Sequence, residues 1–260
     1  MLILLSPAKS LNYQTKILQK NFSIPHFENE TKKLAATLKK LSVSDLEKLM
    51  TISKNLAQLN FQRWQNFAPN YNLQNSKPAL LVFDGDVYKP IDKENFSQSD
   101  FDFAQKNLRI LSGFYGILKP LDLIQPYRLE MATDFQKSNL KNILGVKNLY
   151  QFWGDKISNY LNLECKNNAV KHVINLASEE YFSAINPQKI SAKIINIVFK
   201  ENKNGVYKII GINAKKARGL MTNFIIKNKI SVPGDLKNFK SENYRFEKTL
   251  SDELNFTFVR

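Results

Sequence analysis

A chain of 260 residues with 43% hydrophobic and 23% charged side chains can bury a sizeable core unaided, which excludes a disordered polypeptide and a scaffold that needs disulfide or metal staples. Its 38 Lys and Arg against 23 Asp and Glu leave a formal charge of +15, an excess that repels itself unless a polyanion is near and that makes nucleic acid the candidate partner. The single Cys165 excludes an intramolecular disulfide, and no apolar run approaches the roughly 18 residues of a membrane span.

A lysine-rich proteome would raise any isoelectric point, so the distribution of charge matters more than its total. Residues 1–130 carry 17 basic and 12 acidic groups, residues 131–260 carry 21 and 11, and between 185 and 230 ten basic residues face one acid, Glu201. The opening MLILLSPAKS has no basic n-region and too short an apolar run for a signal peptide, which points to a cytoplasmic protein.

Leu2 to Leu5 predicts a buried strand, ended by Pro7 in the loop SPAKS. From Glu28 the spacing of Leu34, Leu38 and Leu41 predicts a helix with lysines on its other face. Ser44 and Glu47 then fit an S-x-x-E capping box, so residues 28–50 read as two helices joined by a tight turn, and Ser53 can cap a third helix with Leu56, Leu59 and Phe61 as its apolar side. ALLVF at 79–83 predicts a second buried strand stopped by DGD at 84–86, and SDFDFAQKNLRILSG predicts a helix closed by Gly113. Tyr150, Trp153, Ile157 and Leu161 place a core-facing stripe on a helix over 148–162, despite Gly154. KHVINLAS predicts a third buried strand followed by a short helix at SEEYF. The alternation in AKIINIVFKENKNGVYKIIGINA predicts a hairpin turning at Asn204-Gly205. Its second arm delivers the chain to KARGLMTNFIIKNKI, a helix ended by VPGD. No repeat or linker divides the chain, so one mixed α/β domain over 1–260 is expected, with helices around a central sheet.

Several groups are placed where chemistry is common. Lys215, Lys216 and Arg218 fall near the predicted start of a helix, whose free N–H groups and dipole disfavour cations unless an anion binds there; a solvated basic turn is the alternative. Lys9 stands between Ser6 and Ser10 in the loop leaving the first strand, without the glycines of a phosphate loop. Asp84 and Asp86 flank Gly85 after a strand and suit either turn chemistry or acid–base work. Arg128 sits two residues from Glu130 and can pair with it or face a phosphate, while Ser178 and Glu179 follow the third strand. His26 and His172 stand alone and Cys165 has no catalytic context, so no metal or cofactor is expected.

LILLSPAKSLNY, FDGDVY, DFDFAQKNLRILSGFYGILKPLDLIQPYRLEM, LYQFWGDKIS, VINLASEEYF and AKKARGLMTNFII occur in this order in the YaaA family of bacterial peroxide stress resistance proteins, which the chain resembles along nearly its whole length. The resemblance implies a mixed α/β fold with a positively charged cleft and a helix-hairpin-helix element, binding to DNA, and a cytosolic role in limiting free iron and the damage iron-driven oxidation inflicts. The best place for that element is 28–50, although its turn, KKLSVSDL, lacks the usual glycines, which leaves either Lys39, Lys40 and Ser42 to meet DNA or a hairpin that serves packing alone. Pro90 and Ala132 stand where relatives usually carry glycine.

Two functions are therefore expected in competition. The first is a sequence-independent protein, monomeric by expectation, that binds double-stranded or structured DNA through Lys9, Arg128, Lys215, Lys216 and Arg218, with Lys39 and Lys40 on the helical pair. The second is an enzyme acting on a nucleotide, nucleobase or nucleic acid, if Lys9, Asp84, Asp86, Arg128, Ser178, Glu179 and Lys215 line one concave site.

Overall fold

Leu2–Leu5 form strand β1, whose near-complete burial puts it in the middle of a sheet covered on both faces. The computed structural model describes residues 1–14, 21–138 and 140–260. After β1, a two-residue strand β2 (Ser10–Leu11) leads to helices α1 (Glu28–Leu38), α2 (Val43–Met50) and α3 (Lys54–Asn66). The capping box of α2 is not Ser44 with Glu47: Ser42 caps the helix and Asp45 reaches back to the Ser42 backbone N–H at 3.0 Å. Asp45 does from two residues earlier what Glu47 was expected to do. Ser53 caps α3 as expected, but the helix buries Ala57, Asn60 and Trp64 and leaves Leu56 and Leu59 exposed. Asn60 can enter the core because its side-chain N–H donates to the Leu56 carbonyl at 2.8 Å.

β3 (Lys77–Pro78), a single helical turn α4 (Ala79–Val82) and β4 (Phe83–Asp84) replace the strand expected at 79–83. Tertiary contacts override the apolar run. The Ala79 and Leu80 N–H groups donate to the carbonyls of Asp122 and Pro120, and the Lys93 ammonium donates to those of Leu80, Leu81 and Phe83. α5 (Gln98–Asn107) ends six residues before Gly113, because Leu108–Ser112 form strand β5 instead. The sequence hides that strand behind Arg109, whose charge is buried against Glu164 in a two-pronged ion pair at 2.6 and 2.8 Å. β6 (Gly116–Leu118) and β7 (Leu123–Ile124) follow.

α6 (Leu140–Leu144) precedes α7 (Leu149–Trp153) and α8 (Lys156–Asn167), which are separated at Gly154, where φ is +47°. The single helix expected there is thus two, although Trp153, Ile157 and Leu161 are all buried. β8 (His172–Leu176) and α9 (Glu179–Phe182) match the pattern. β9 (Lys193–Lys203) and β10 (Val206–Lys208) make the hairpin, with positive φ at both Asn204 and Gly205. α10 (Gly211–Lys227) begins four residues before Lys215, so the second arm is shorter and the helix longer than expected. β11 (Arg245–Phe246) and β12 (Asn255–Val259) complete the chain.

The sheet runs β11-β12-β9-β8-β1-β5-β6, with β10 paired to β9. β5, β1, β8, β9 and β12 are mutually parallel, and β6, β10 and β11 are antiparallel. β1 lies between β5 and β8, and the chain leaves β1 toward one side of the sheet and β8 toward the other. Such a reversal opens a crevice at the carboxyl ends of the strands. α5 is tied to the end of α10 by Asp100, which receives the ammonium groups of Lys229 and Lys227.

Beside this frame, burial pushes the Asp122 carboxyl up to about 6, although Ser23 and the Lys119 N–H both donate to it. A folded-state value above the unfolded one means that the cost of ionising Asp122 is fully present above about pH 6 and is relieved as pH falls toward the ordinary carboxylate range. Lowering the pH from about 7 to about 4.5 is therefore expected to favour the wild type over Asp122→Asn by about 2 kcal/mol in urea unfolding. Parallel pH profiles for the two proteins would remove this assignment.

Candidate functional site

The carboxyl ends of β1 and β8 are joined by two serines. Ser6 Oγ accepts from the Ser178 backbone N–H at 2.8 Å and donates to Ser178 Oγ at 3.2 Å, while Tyr88 Oη donates to the Ser6 carbonyl at 2.8 Å. The loop after β1 is held by β2, which pairs antiparallel with β4, Ser10 opposite Asp84. That pairing brings Lys9 to the Asp84-Gly85-Asp86 turn, where Gly85 leaves just enough space beside Ala8.

α10 closes the opposite wall. At Gly219 the helix backbone lies directly on the loop after β4: a β-carbon there would stand 2.0 Å from the Val87 carbonyl oxygen. One residue earlier Arg218 therefore faces the turn, and one helical turn earlier Lys215 stands at the rim. The result is a cleft of about 380 Å³ lined by Ser6, Lys9, Ser10, Asp84, Asp86, Lys89, Ser178, Glu180, Lys215 and Arg218, with Tyr181 and the 7–8 and 85–87 backbone between them.

Its charge is mixed. Lys9, Lys89, Lys215 and Arg218 face Asp84, Asp86 and Glu180. Arg218 differs from the three lysines because its guanidinium is half-buried and its Nε is sealed from solvent without a hydrogen-bond partner; like Lys89 and Lys215, it forms no ion pair among the described residues. Burial with no compensating carboxylate lowers its pKa from the ordinary arginine value. A partly buried charge with no counter-charge in the protein gains from an anion bound beside the exposed part of its guanidinium.

The other expected residues lie elsewhere or are already engaged. Arg128 pairs with Glu130 at 3.0 Å, and Lys9 reaches the same Glu130 oxygen at 3.4 Å, so this pair borders the cleft without lining it. Gly113 permits that approach, since a β-carbon on it would meet the Leu129 carbonyl oxygen at 2.5 Å. Lys216 turns away and forms an ion pair with Glu242. Glu179 is exposed outside the cleft, and Glu180 lines it instead. Lys215 and Arg218 sit beyond the first turn of α10, so the expected crowding of cations at a helix end is not what the structure shows; the cations face the cleft from the helix side.

Lys39 and Lys40 occupy the α1–α2 turn, away from the cleft. The N–H groups of Lys39, Lys40 and Leu41 donate to the carbonyls of Ala35, Thr37 and Leu38, and that of Ser42 donates to Asp45. With every N–H from 39 to 42 engaged, an anion at this turn would meet side chains alone.

Lys89 and Glu180 escaped sequence reasoning. Lys89 follows the DGDVY turn closely enough to have been included with it; Glu180 required knowing which of two adjacent glutamates on α9 turns inward. Among the described residues no group of three or more His, Cys, Asp or Glu is placed to hold a metal ion, and no helix is long and apolar enough to cross a membrane.

Comparison with known proteins agrees over the whole chain. A family model described as peroxide stress protein YaaA matches residues 1–250. A UPF0246 protein of Acaryochloris marina is 47% identical over 260 residues, covering all of both chains. A UPF0246 protein of Burkholderia cenocepacia is 45% identical over 262 residues, covering all of this chain and 98% of its own.

Proposed function

The chain belongs to the YaaA family of peroxide stress proteins, and from that premise we propose that it is a cytoplasmic DNA-binding protein of the peroxide response whose cleft holds backbone phosphates. The observation that carries this reading is Arg218, a half-buried guanidinium with no ion pair among the described residues, which lines a cleft that Lys215, Lys89 and Lys9 share. A phosphate there gains charge-assisted hydrogen bonds and relieves a buried charge at once. The α1–α2 turn offers a second place for phosphate contact, through the side chains of Lys39 and Lys40. Covering DNA in this way would limit the damage that intracellular iron inflicts under peroxide.

Each phosphate neutralised adds about 0.9 to the fall of log affinity with log salt, so Lys89, Lys215 and Arg218 together lead to a slope of about 3 for duplex DNA. Lys89→Ala with Lys215→Ala is expected to lower that slope by about 2, similarly for all sequences. Lys216→Ala, already paired with Glu242, serves as the control that leaves the slope nearly unchanged. A wild-type affinity indifferent to salt would eliminate phosphate binding as the function.

Asp84, Asp86 and Glu180 favour a second function, an enzyme acting on a nucleotide or nucleobase, because carboxylates repel a bare backbone yet accept from base amino groups. Calorimetric titration with nucleoside monophosphates separates the two: saturable binding that displaces duplex DNA, accompanied by turnover, selects the enzyme.

A further inference from the structure

Val206, Ile209 and Ile212 are 54%, 59% and 63% exposed, on a stretch that runs from the β9–β10 turn into the first turn of α10. Isolated exposed apolar residues are ordinary; three within seven residues of one connection make an apolar ridge along the chain. Cations surround it. Lys203, Lys208 and Lys215 are exposed and form no ion pair among the described residues, while Glu201 is taken by Arg260 at 2.9 Å and by Tyr244 at 3.2 Å and Glu242 is taken by Lys216 and Arg260.

The ridge approaches the cleft along α10. Ile212 and Lys215 are three residues apart on α10 and so share one helix face, and Lys215 lines the cleft. Gly219 lies on that same face one turn further on, where the loop after β4 covers it. The uncovered end of the face therefore presents an isoleucine beside the cations proposed to hold phosphate. An apolar edge next to phosphate-binding cations is complementary to one polymer, a nucleic acid whose apolar base faces lie a few ångströms from its charged backbone.

We infer that Ile209 and Ile212 form a wedge that inserts against the bases of DNA bound at the cleft and unstacks them. The inference rests on the DNA-binding function proposed above and adds to it a distortion of the duplex. Sequence independence follows, because a wedge reads the face of a base rather than its edge.

The test uses a short duplex with 2-aminopurine in place of adenine along one strand, the full-length protein, and the double variant Ile209→Ser, Ile212→Ser, whose changes are on exposed side chains. Fluorescence anisotropy reports binding and 2-aminopurine intensity reports unstacking. The wild type is expected to raise the intensity severalfold at saturation, and the double variant, still bound by anisotropy, to lose most of that rise. Binding by the wild type with unchanged intensity overturns the wedge and leaves DNA binding standing. An equal rise with the variant overturns the assignment to these two isoleucines. Absence of binding overturns both. Sedimentation that shows a wild-type dimer and a monomeric variant would give the ridge to a second copy of the chain, and binding of anionic phosphatidylserine vesicles by the wild type alone would give it to a lipid surface; either result overturns the wedge.

Discussion

Gly219→Ala is expected to destabilise the protein by about 3 kcal/mol or more and to abolish the cleft, against the usual sign of such a change. In the middle of a helix, alanine for glycine ordinarily stabilises by about 1 kcal/mol. Here the added carbon would stand 2.0 Å from the Val87 carbonyl oxygen, 2.9 Å from its carbon and 3.3 Å from Pro90 Cδ. Two of those contacts are backbone, held by a loop that Tyr88 anchors to Ser6 and that Gly85 closes with hydrogen bonds from the Tyr88 and Lys89 N–H groups. Neither side yields cheaply, so the overpacking cost exceeds the propensity gain. For a chain of this size about 3 kcal/mol corresponds to a fall of about 10 °C in Tm. Displacing α10 also carries Arg218 and Lys215 away from Lys9 and Lys89, so the duplex affinity proposed above is expected to fall with stability. A melting temperature at or above that of the wild type would show that α10 does not rest on this loop.

Arg218→Met is expected to separate function from stability in the opposite way. Removing a half-buried charge that has no partner in the protein costs little, and stability is expected to stay level or rise by about 1 kcal/mol. Duplex affinity is expected to fall by about tenfold or more, since charge-assisted hydrogen bonds contribute about 1.5–3 kcal/mol, and the salt slope is expected to drop by about 1. Arg218→Lys restores charge without the planar fork and recovers part of the affinity. Urea unfolding together with anisotropy titration reads both quantities. A variant that unfolds easily yet binds as the wild type does would make Arg218 a structural residue and leave the cleft without its strongest claim to an anion.

Three segments depart from their local pattern for a common reason. Leu108–Ser112 was expected to continue a helix because Arg109 disguises a buried strand, and only the packing of α8 supplies the Glu164 that makes the charge tolerable. Residues 79–82 have the composition of a strand but are turned by carbonyls and an ammonium from residues 93, 120 and 122. Leu56 and Leu59 were expected inside, yet α3 buries the face carrying Asn60 because that side chain finds its partner within the helix. In each case a polar group is satisfied by a residue distant in sequence or by an unexpected local bond, which periodicity does not register.

By itself the sequence determined the class of the fold, the central strand at Leu2–Leu5, the hairpin at Asn204-Gly205, the family, and most of the residues that meet in the cleft, because these follow from local pattern, turn chemistry and the order of motifs. Only the tertiary structure decided that Glu180 rather than Glu179 turns inward, that Lys216 and Arg128 are committed to Glu242 and Glu130, and that Arg218 is left unpaired. Whether a charge is free or neutralised depends on which distant carboxylate folding brings within reach, and that distance is a property of packing rather than of the chain's order.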